Sequence, residues 1–260
     1  MIRRPVTAAD CHPRWALISQ VEHARVAGEL AEHWGAPPFE PLVPRDELVA
    51  TIFHHDDGWA EWERTPGVDP KHGRPLQFTE MPVTESLVIW QRSIDAVRPL
   101  GDLAPWLVSG HFSALLRRSN AWQPTRPPES PAAQAFLQRQ DHDREVWLAA
   151  WQHRDPPHNT NAVAERGLEW LQFFDALSLW LCCSERHEPQ SFRVPSGSTL
   201  TFTPSSSIKI RVDPWPWTGR ELHVQTPARA IPVASYSAEQ LRSAVSNEPI
   251  IVDWRLTKGT

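Results

Sequence analysis

Phe53-His54-His55-Asp56-Asp57-Gly58-Trp59 closes a segment in which Leu48, Val49, Ile52 and Phe53 recur at helical spacing. Adjacent His and Asp side chains at a helix end, followed by Gly, turn two ligand groups toward one point while the chain changes direction. Imidazole nitrogen beside carboxylate oxygen suits a divalent transition metal. So short a string also fits a solvated surface cluster, and its weight depends on what the rest of the chain brings to it.

Three other segments place a polar side chain on an apolar helix face. Asp175 lies in Leu171-Gln172-Phe173-Phe174-Asp175-Ala176-Leu177-Ser178-Leu179-Trp180, with Leu168, Leu171, Leu179 and Cys182 on its own face. A buried carboxylate without a partner is costly, so it pairs, changes its pKa or binds a cation. A salt bridge to Arg or a hydrogen bond from a Trp N–H is the purely structural alternative. His111 has Leu107 and Leu115 four residues to either side, and Gly110 beside it permits close approach of a backbone or ligand. His23 stands above Val26, Ala27 and Leu30.

Helical spacing predicts helices at about 16–34, 44–55, 84–98, 103–118, 130–153 and 160–183, so His23, His55-Asp56, His111 and Asp175 each come from a different helix. A connection rich in Gly and Pro spans 57–82, and Pro124, Pro127 and Pro128 mark a second break. Beyond about Ser191 the texture changes to short alternating runs: strands at 199–203, 207–212, 220–226 and 229–233, a helix at 237–246, and a last strand at 250–255. The expected fold is therefore mainly α, a helical bundle over 1–184 followed by a small, mostly antiparallel β subdomain over 185–260. Pro214-Trp215-Pro216-Trp217 reads as a stiff turn that covers a sheet edge or a domain seam.

Composition narrows the function. Among 260 residues, 26 Lys+Arg against 31 Asp+Glu leave a net charge of −5 with no clustered basic run, which argues against nucleic acid as the partner. Three cysteines, two of them adjacent, cannot staple a secreted domain, and a reducing cytoplasm is the simpler expectation. The N-terminal MIRRPVTAADCHPRW lacks the apolar core of a signal peptide, and Gly167 to Cys183 carries too many polar groups for a span, so no membrane segment is expected.

Taken as a set, a histidine on an early helix, an HD pair with Gly two positions after the Asp, and an aspartate on a late helix resemble the HD-domain superfamily of metal-dependent phosphohydrolases. The matching residues are His23, His55-Asp56 and Asp175. The strings QVEHARVAGELAEHWG, HHDDGWAEW, LVSGHF and LQFFDALSLWLC, with the PWPW tail, are similar to a bacterial HD-like family of unknown function over nearly the whole chain. The resemblance implies an HD-like helical bundle holding one or two divalent ions (Mn, Zn, Fe, Co or Ni) through His23, His55, Asp56 and Asp175. His111 departs from that four-residue pattern and is expected as an additional ligand, with His54, His72 and His142 as weaker candidates for another.

Such a site implies hydrolysis of a small phosphoester or nucleotide by a metal-activated water. Asp57 or Glu22 is the candidate to orient that water. Lys71, Arg74, Trp59 and Gln20 are the candidates to contact substrate, each with a plain surface or core role as its alternative. A di-iron oxygenase of the HD type, which needs four histidines, and a non-enzymatic metal or ligand sensor are the other readings. The expected partner is a small molecule, with a homodimer left open.

Overall fold

In a computed structural model, residues 1–7, 12–121, 130–183 and 188–259 are described. The proline break at 124–128 lies outside them, as does the first part of the predicted 184–190 boundary. The helices are α1 (Gln20–Glu32), α2 (Arg45–His54), α3 (Ala60–Glu63), α4 (Val83–Ala96), α5 (Leu103–Ala121), α6 (Pro131–Arg154), α7 (Asn161–Cys183) and α8 (Ala238–Val245). The strands are β1 (Ile2–Thr7), β2 (Pro13–Ile18), β3 (Gln190–Arg193), β4 (Thr199–Pro204), β5 (Lys209–Asp213), β6 (Glu221–Pro232) and β7 (Ile250–Lys258).

All seven strands join in one sheet, ordered β1-β2-β6-β7-β5-β4-β3, antiparallel except where β5 runs parallel to β7. This corrects the expected fold class. With 51% helix and 21% strand in a single curled sheet, the protein is a mixed α/β fold, not a mainly α bundle with a small β subdomain. Residues 1–184 are not all-helical, because β1 and β2 lie within them and Trp15 pairs with Ile231 across the β2–β6 ladder. Prolines caused part of the error. Pro5 sits in β1, an edge strand that tolerates a missing N–H, and Pro13 begins β2. The contiguous Trp15-Ala16-Leu17-Ile18 run of β2 has no period that separates strand from helix.

α7 is the central helix. Trp170, Leu171, Phe174, Leu177, Leu181 and Cys182 are all buried, and α7 packs on α1, α2 and α5 as well as on the sheet. The sheet's inner face presents Leu200, Phe202, Ile210, Val212, Val224, Trp254 and Leu256 to the same core. Trp180 meets Phe202 with ring centroids 5.4 Å apart. The PWPW turn ties the sheet to the end of α1: the Trp217 indole donates to the Leu30 carbonyl at 2.8 Å, and Gly35 N–H donates to Pro216 O at 3.1 Å.

α1 and α2 approach closely because Gly28 has no side chain. A Cβ there would lie 2.3 Å from Phe53 Cγ. Gly28→Ala is expected to force the helices apart and destabilise the protein by about 1–3 kcal/mol, the usual cost of overpacking, read as a lowered denaturation midpoint. No described helix is long and apolar enough to cross a membrane.

Candidate metal centre

The HD turn forms where α2 stops. His55 is its C-cap, Asp56 leaves helical geometry, and a short 3-10 turn over Asp57–Trp59 carries the chain away. Gly58 permits this. Its N–H donates to Ser93 Oγ at 3.1 Å, and a Cβ on it would meet Ser93 N at 2.3 Å and Ile89 O at 2.4 Å. The turn is thus seated directly on the backbone of α4.

His23 from α1, His111 from α5 and Asp175 from α7 converge on it. His23, His55, Asp56, His111 and Asp175 are all at least nine-tenths buried. His23 Nε2 lies 3.0 Å from Asp56 Oδ2 and 3.6 Å from Asp175 Oδ1. His55 Nε2 lies 3.4 Å from Asp175 Oδ1 and 3.7 Å from Asp56 Oδ2. His111 Nε2 is 4.0 Å from Asp175 Oδ1. Two groups of three, His23-His55-Asp56 and His55-His111-Asp175, each bring one ligand atom per residue close enough to hold an ion.

Hydrogen bonds decide which nitrogens are free to ligate. Ser178 Oγ gives its single proton to the Asp175 carbonyl at 2.9 Å, so at 2.8 Å from His23 Nδ1 it must accept. Nδ1 therefore carries a proton, which leaves Nε2, 3.0 Å from Asp56 Oδ2, as the nitrogen that can ligate. His55 Nδ1 likewise donates to the Ile52 carbonyl at 2.8 Å, and its Nε2 has no hydrogen-bond partner. Lone pairs facing carboxylate oxygens require a proton or a cation between them.

The charges support the same conclusion. Burial pulls the His55 imidazole down, but Asp56 and Asp175 outweigh it and hold the ring up to about 9. Burial pushes Asp56 and Asp175 up, yet the facing histidines hold both below the ordinary carboxylate value. Burial keeps His111 below the usual imidazole range, hence neutral and able to ligate. The donor set also fits an ion in its spacing. Ligand bonds of about 2.1 Å put donors about 3.0 Å apart at right angles and about 3.4 Å apart at tetrahedral angles. These buried His and Asp groups can hold a metal ion.

Ser178 was not a candidate from sequence, although a hydroxyl three residues after Asp175 on a greasy helix was the available signal. By fixing the His23 tautomer it acts as an outer-shell partner. Ser178→Ala is expected to weaken metal binding about 10–100-fold, measured by competition against a chromogenic chelator.

The other expected site residues divide. Gln20 is buried one turn before His23 on α1, and its side-chain oxygen has no partner. Trp59 is buried, but it packs with Met81 and Ile89 as a wall of the core. Seven candidates lie outside the cluster. Asp57 accepts from His54 Nδ1 at 2.8 Å in a pair that faces outward. His72 is tied to Asp69 at 2.6 Å, Arg74 to Asp69 at 3.3 Å and Glu80 at 2.7 Å, and Lys71 is exposed on the same loop. Glu22 pairs with Arg25 at 2.6 Å. The loop's charges pair with one another and with Arg3, which also binds Glu80, so the segment is tied to β1 and not to the cluster. His142 is exposed on α6.

A family model described as "Protein of unknown function (DUF3891)" matches residues 6–233. The chain belongs to the DUF3891 family. The match contains all five residues of the buried cluster and every helix that carries one. The chain matches no curated protein and no solved structure at a significant level.

Proposed function

We propose that this DUF3891 protein is a metal-dependent hydrolase of a small phosphoester or nucleotide, allied to the HD-domain superfamily. The observation that carries the reading is the convergence of three imidazoles and two carboxylates in a buried site, with the Nε2 lone pairs of His23 and His55 turned inward by their Nδ1 hydrogen bonds. All five ligands are nitrogen or oxygen, and the set suits Mn, Fe, Co, Ni or Zn. A divalent ion bound there would bring the pKa of its water toward neutrality and polarise a phosphoryl oxygen.

The chain's own groups then have distinct tasks. Asp56 and Asp175 supply the negative charge. His23 and His55 are held in one tautomer. His111 is neutral and has no hydrogen-bond partner on Nδ1. Arg74, already paired within its loop, and Lys71, exposed on the same loop, are not assigned to the substrate, and Asp57 is not assigned to the water. Three cluster histidines among the described residues fall short of the four that the oxygenase reading needs.

Elemental analysis of the protein for Mn, Fe, Co, Ni and Zn, with turnover measured on a panel of phosphoesters, tests the proposal. Bound metal and hydrolysis are expected in the native protein, and both are expected to be absent from a folded Asp56→Ala variant. Turnover that survives in Asp56→Ala, or protein that takes up no metal after reconstitution, overturns the reading. Iron with an oxygen-dependent spectrum and no hydrolysis transfers the site to oxidation.

A further inference from the structure

β7 is an inner strand of the sheet, yet part of one of its edges is open. β6 pairs with it from Ile250 to Thr257, whereas on the other side β5 begins only at Arg255, the partner of Lys209. In an antiparallel ladder, residues of one parity turn both backbone groups to the partner strand and those of the other parity turn both away. Two hydrogen bonds fix the parity here. Lys258 N–H donates to the Arg220 carbonyl on the β6 side, and Arg255 N–H donates to Ile208 O on the β5 side. Pro227, which has no N–H to give, stands opposite Ile251, as the same parity requires. Ile251 and Asp253 therefore each turn an N–H and a C=O away from β6, and among the described residues these groups have no hydrogen-bond partner.

The surroundings of the open edge differ by face. Ile250 and Val252 share one face of β7, and Ile251, Asp253 and Arg255 share the other. A cleft of about 310 Å³ runs along the edge, and Val6, Ile208, Ala230, Ile250 and Val252 give it an apolar lining, with Arg4 and Arg14 also present. Ile208 is 40% exposed and Ile251 58% exposed. Proteins ordinarily blunt an open edge with lysine, proline or a bulge, and here an isoleucine stands there instead. On the second face, where β5 closes the edge, Lys209 and Arg255 lie directly opposite each other. Both are exposed, and among the described residues neither forms an ion pair. Like charges at opposed positions are unfavourable, and a carboxylate placed beside them relieves both.

We propose that the open edge of β7 binds an extended peptide segment of a partner protein by strand addition. The segment is apolar at the side chains turned to the cleft and acidic on the alternate face where it passes Lys209 and Arg255. The main-chain groups of Ile251 and Asp253 supply the affinity, and the two faces supply the specificity. The proposal goes beyond the hydrolase reading and stands or falls without it.

Fluorescence anisotropy of a labelled, end-blocked peptide, Glu-Val-Thr-Val-Glu, titrated with the full chain, tests it. The acid at each end serves either strand direction, and the valines fall on the opposite face. Saturable micromolar binding is expected. Methylation of the peptide's backbone nitrogens, or Lys in place of both of its Glu residues, is expected to weaken binding about tenfold or more. Ile251→Pro removes an outward donor where the β6 ladder uses none, so the sheet tolerates it, and it is expected to weaken the peptide by a similar factor. Lys209→Glu, at an exposed position, tests the acidic end should Ile251→Pro not fold. Absence of saturable binding, or affinity unchanged by backbone methylation or by Lys209→Glu, overturns the proposal. Sedimentation that shows a dimer lost in Ile251→Pro assigns the edge to a second copy of the chain and overturns it equally.

Discussion

Asp175→Asn is expected to strip the protein of its metal while leaving the fold standing. Asn occupies the same volume on α7, so the packing around Leu171, Phe174 and Leu177 is undisturbed. What changes is charge. Asp175 Oδ1 lies within 4.0 Å of all three imidazoles of the cluster, and among the described residues no other carboxylate group pairs with all three. Loss of an outer-shell partner commonly costs about 10–100-fold in metal affinity, and removing a direct anionic ligand should exceed that. Thermal unfolding with and without added metal reports it. Saturation at a hundred times Kd stabilises a protein by about 2.7 kcal/mol, and the corresponding rise in Tm should be present in the native chain and absent from Asp175→Asn. An undiminished rise in the variant would remove Asp175 from the ligand set.

The same substitution has a pH signature. Metal must displace the proton that Asp56 and Asp175 hold on His55, so affinity in the native protein should fall as pH drops below about 9 and level off above it. With Asp175 neutralised, one of the two charges that raise His55 is gone. Whatever affinity remains should then begin to fall only at lower pH.

How much of this was legible in the sequence depended on periodicity. α4, α6 and α7 were read to within a residue or two because long amphipathic segments repeat their apolar spacing many times, and Ser130 with Pro131 marks the start of α6. α1 was placed but started early, since Ala16, Leu17 and Ile18 continue its apolar spacing backward into what is β2. β3 and β1 are short edge strands with little alternation, and they are the two outermost strands of the sheet. The runs at 220–226 and 229–233 are one strand, β6, in which Pro227 and Ala228 interrupt the pattern but not the pairing with β7. Antiparallel joining of β2 to β6 is a pairing across more than two hundred residues, and no local signal encodes it.

For the centre, the legible part was the set of side chains that apolar surroundings could not tolerate unpaired. His23, His111 and Asp175 were out of place on their helix faces, and the structure brings them to one point with His55 and Asp56. The illegible part was anything on a loop. Lys71, His72 and Arg74 offered suitable chemistry, but surface charges are equally content with one another. A long connection carries no periodicity that would say which way it folds.

Gly58→Ala is expected to be the most damaging single-methyl change in the chain. At most positions an added Cβ meets side chains that can swing aside. At Gly58 it would meet Ser93 N and Ile89 O, both backbone atoms in the middle of α4, at 2.3 and 2.4 Å. Relief requires that the HD turn and α4 separate, which also breaks the Gly58 N–H to Ser93 Oγ bond. A cost of about 3 kcal/mol or more is expected, at the upper end of overpacking penalties. Ser93→Ala provides the contrast. It removes the same hydrogen bond without the clash and should cost only about 1 kcal/mol. Because Asp56 lies two residues before Gly58, the separation should also pull one carboxylate away from His23. Gly58→Ala protein that remains folded at low temperature is therefore expected to bind metal more weakly, while Ser93→Ala keeps near-native affinity. Equal denaturation midpoints for the two variants would show that α4 yields where the packing says it cannot.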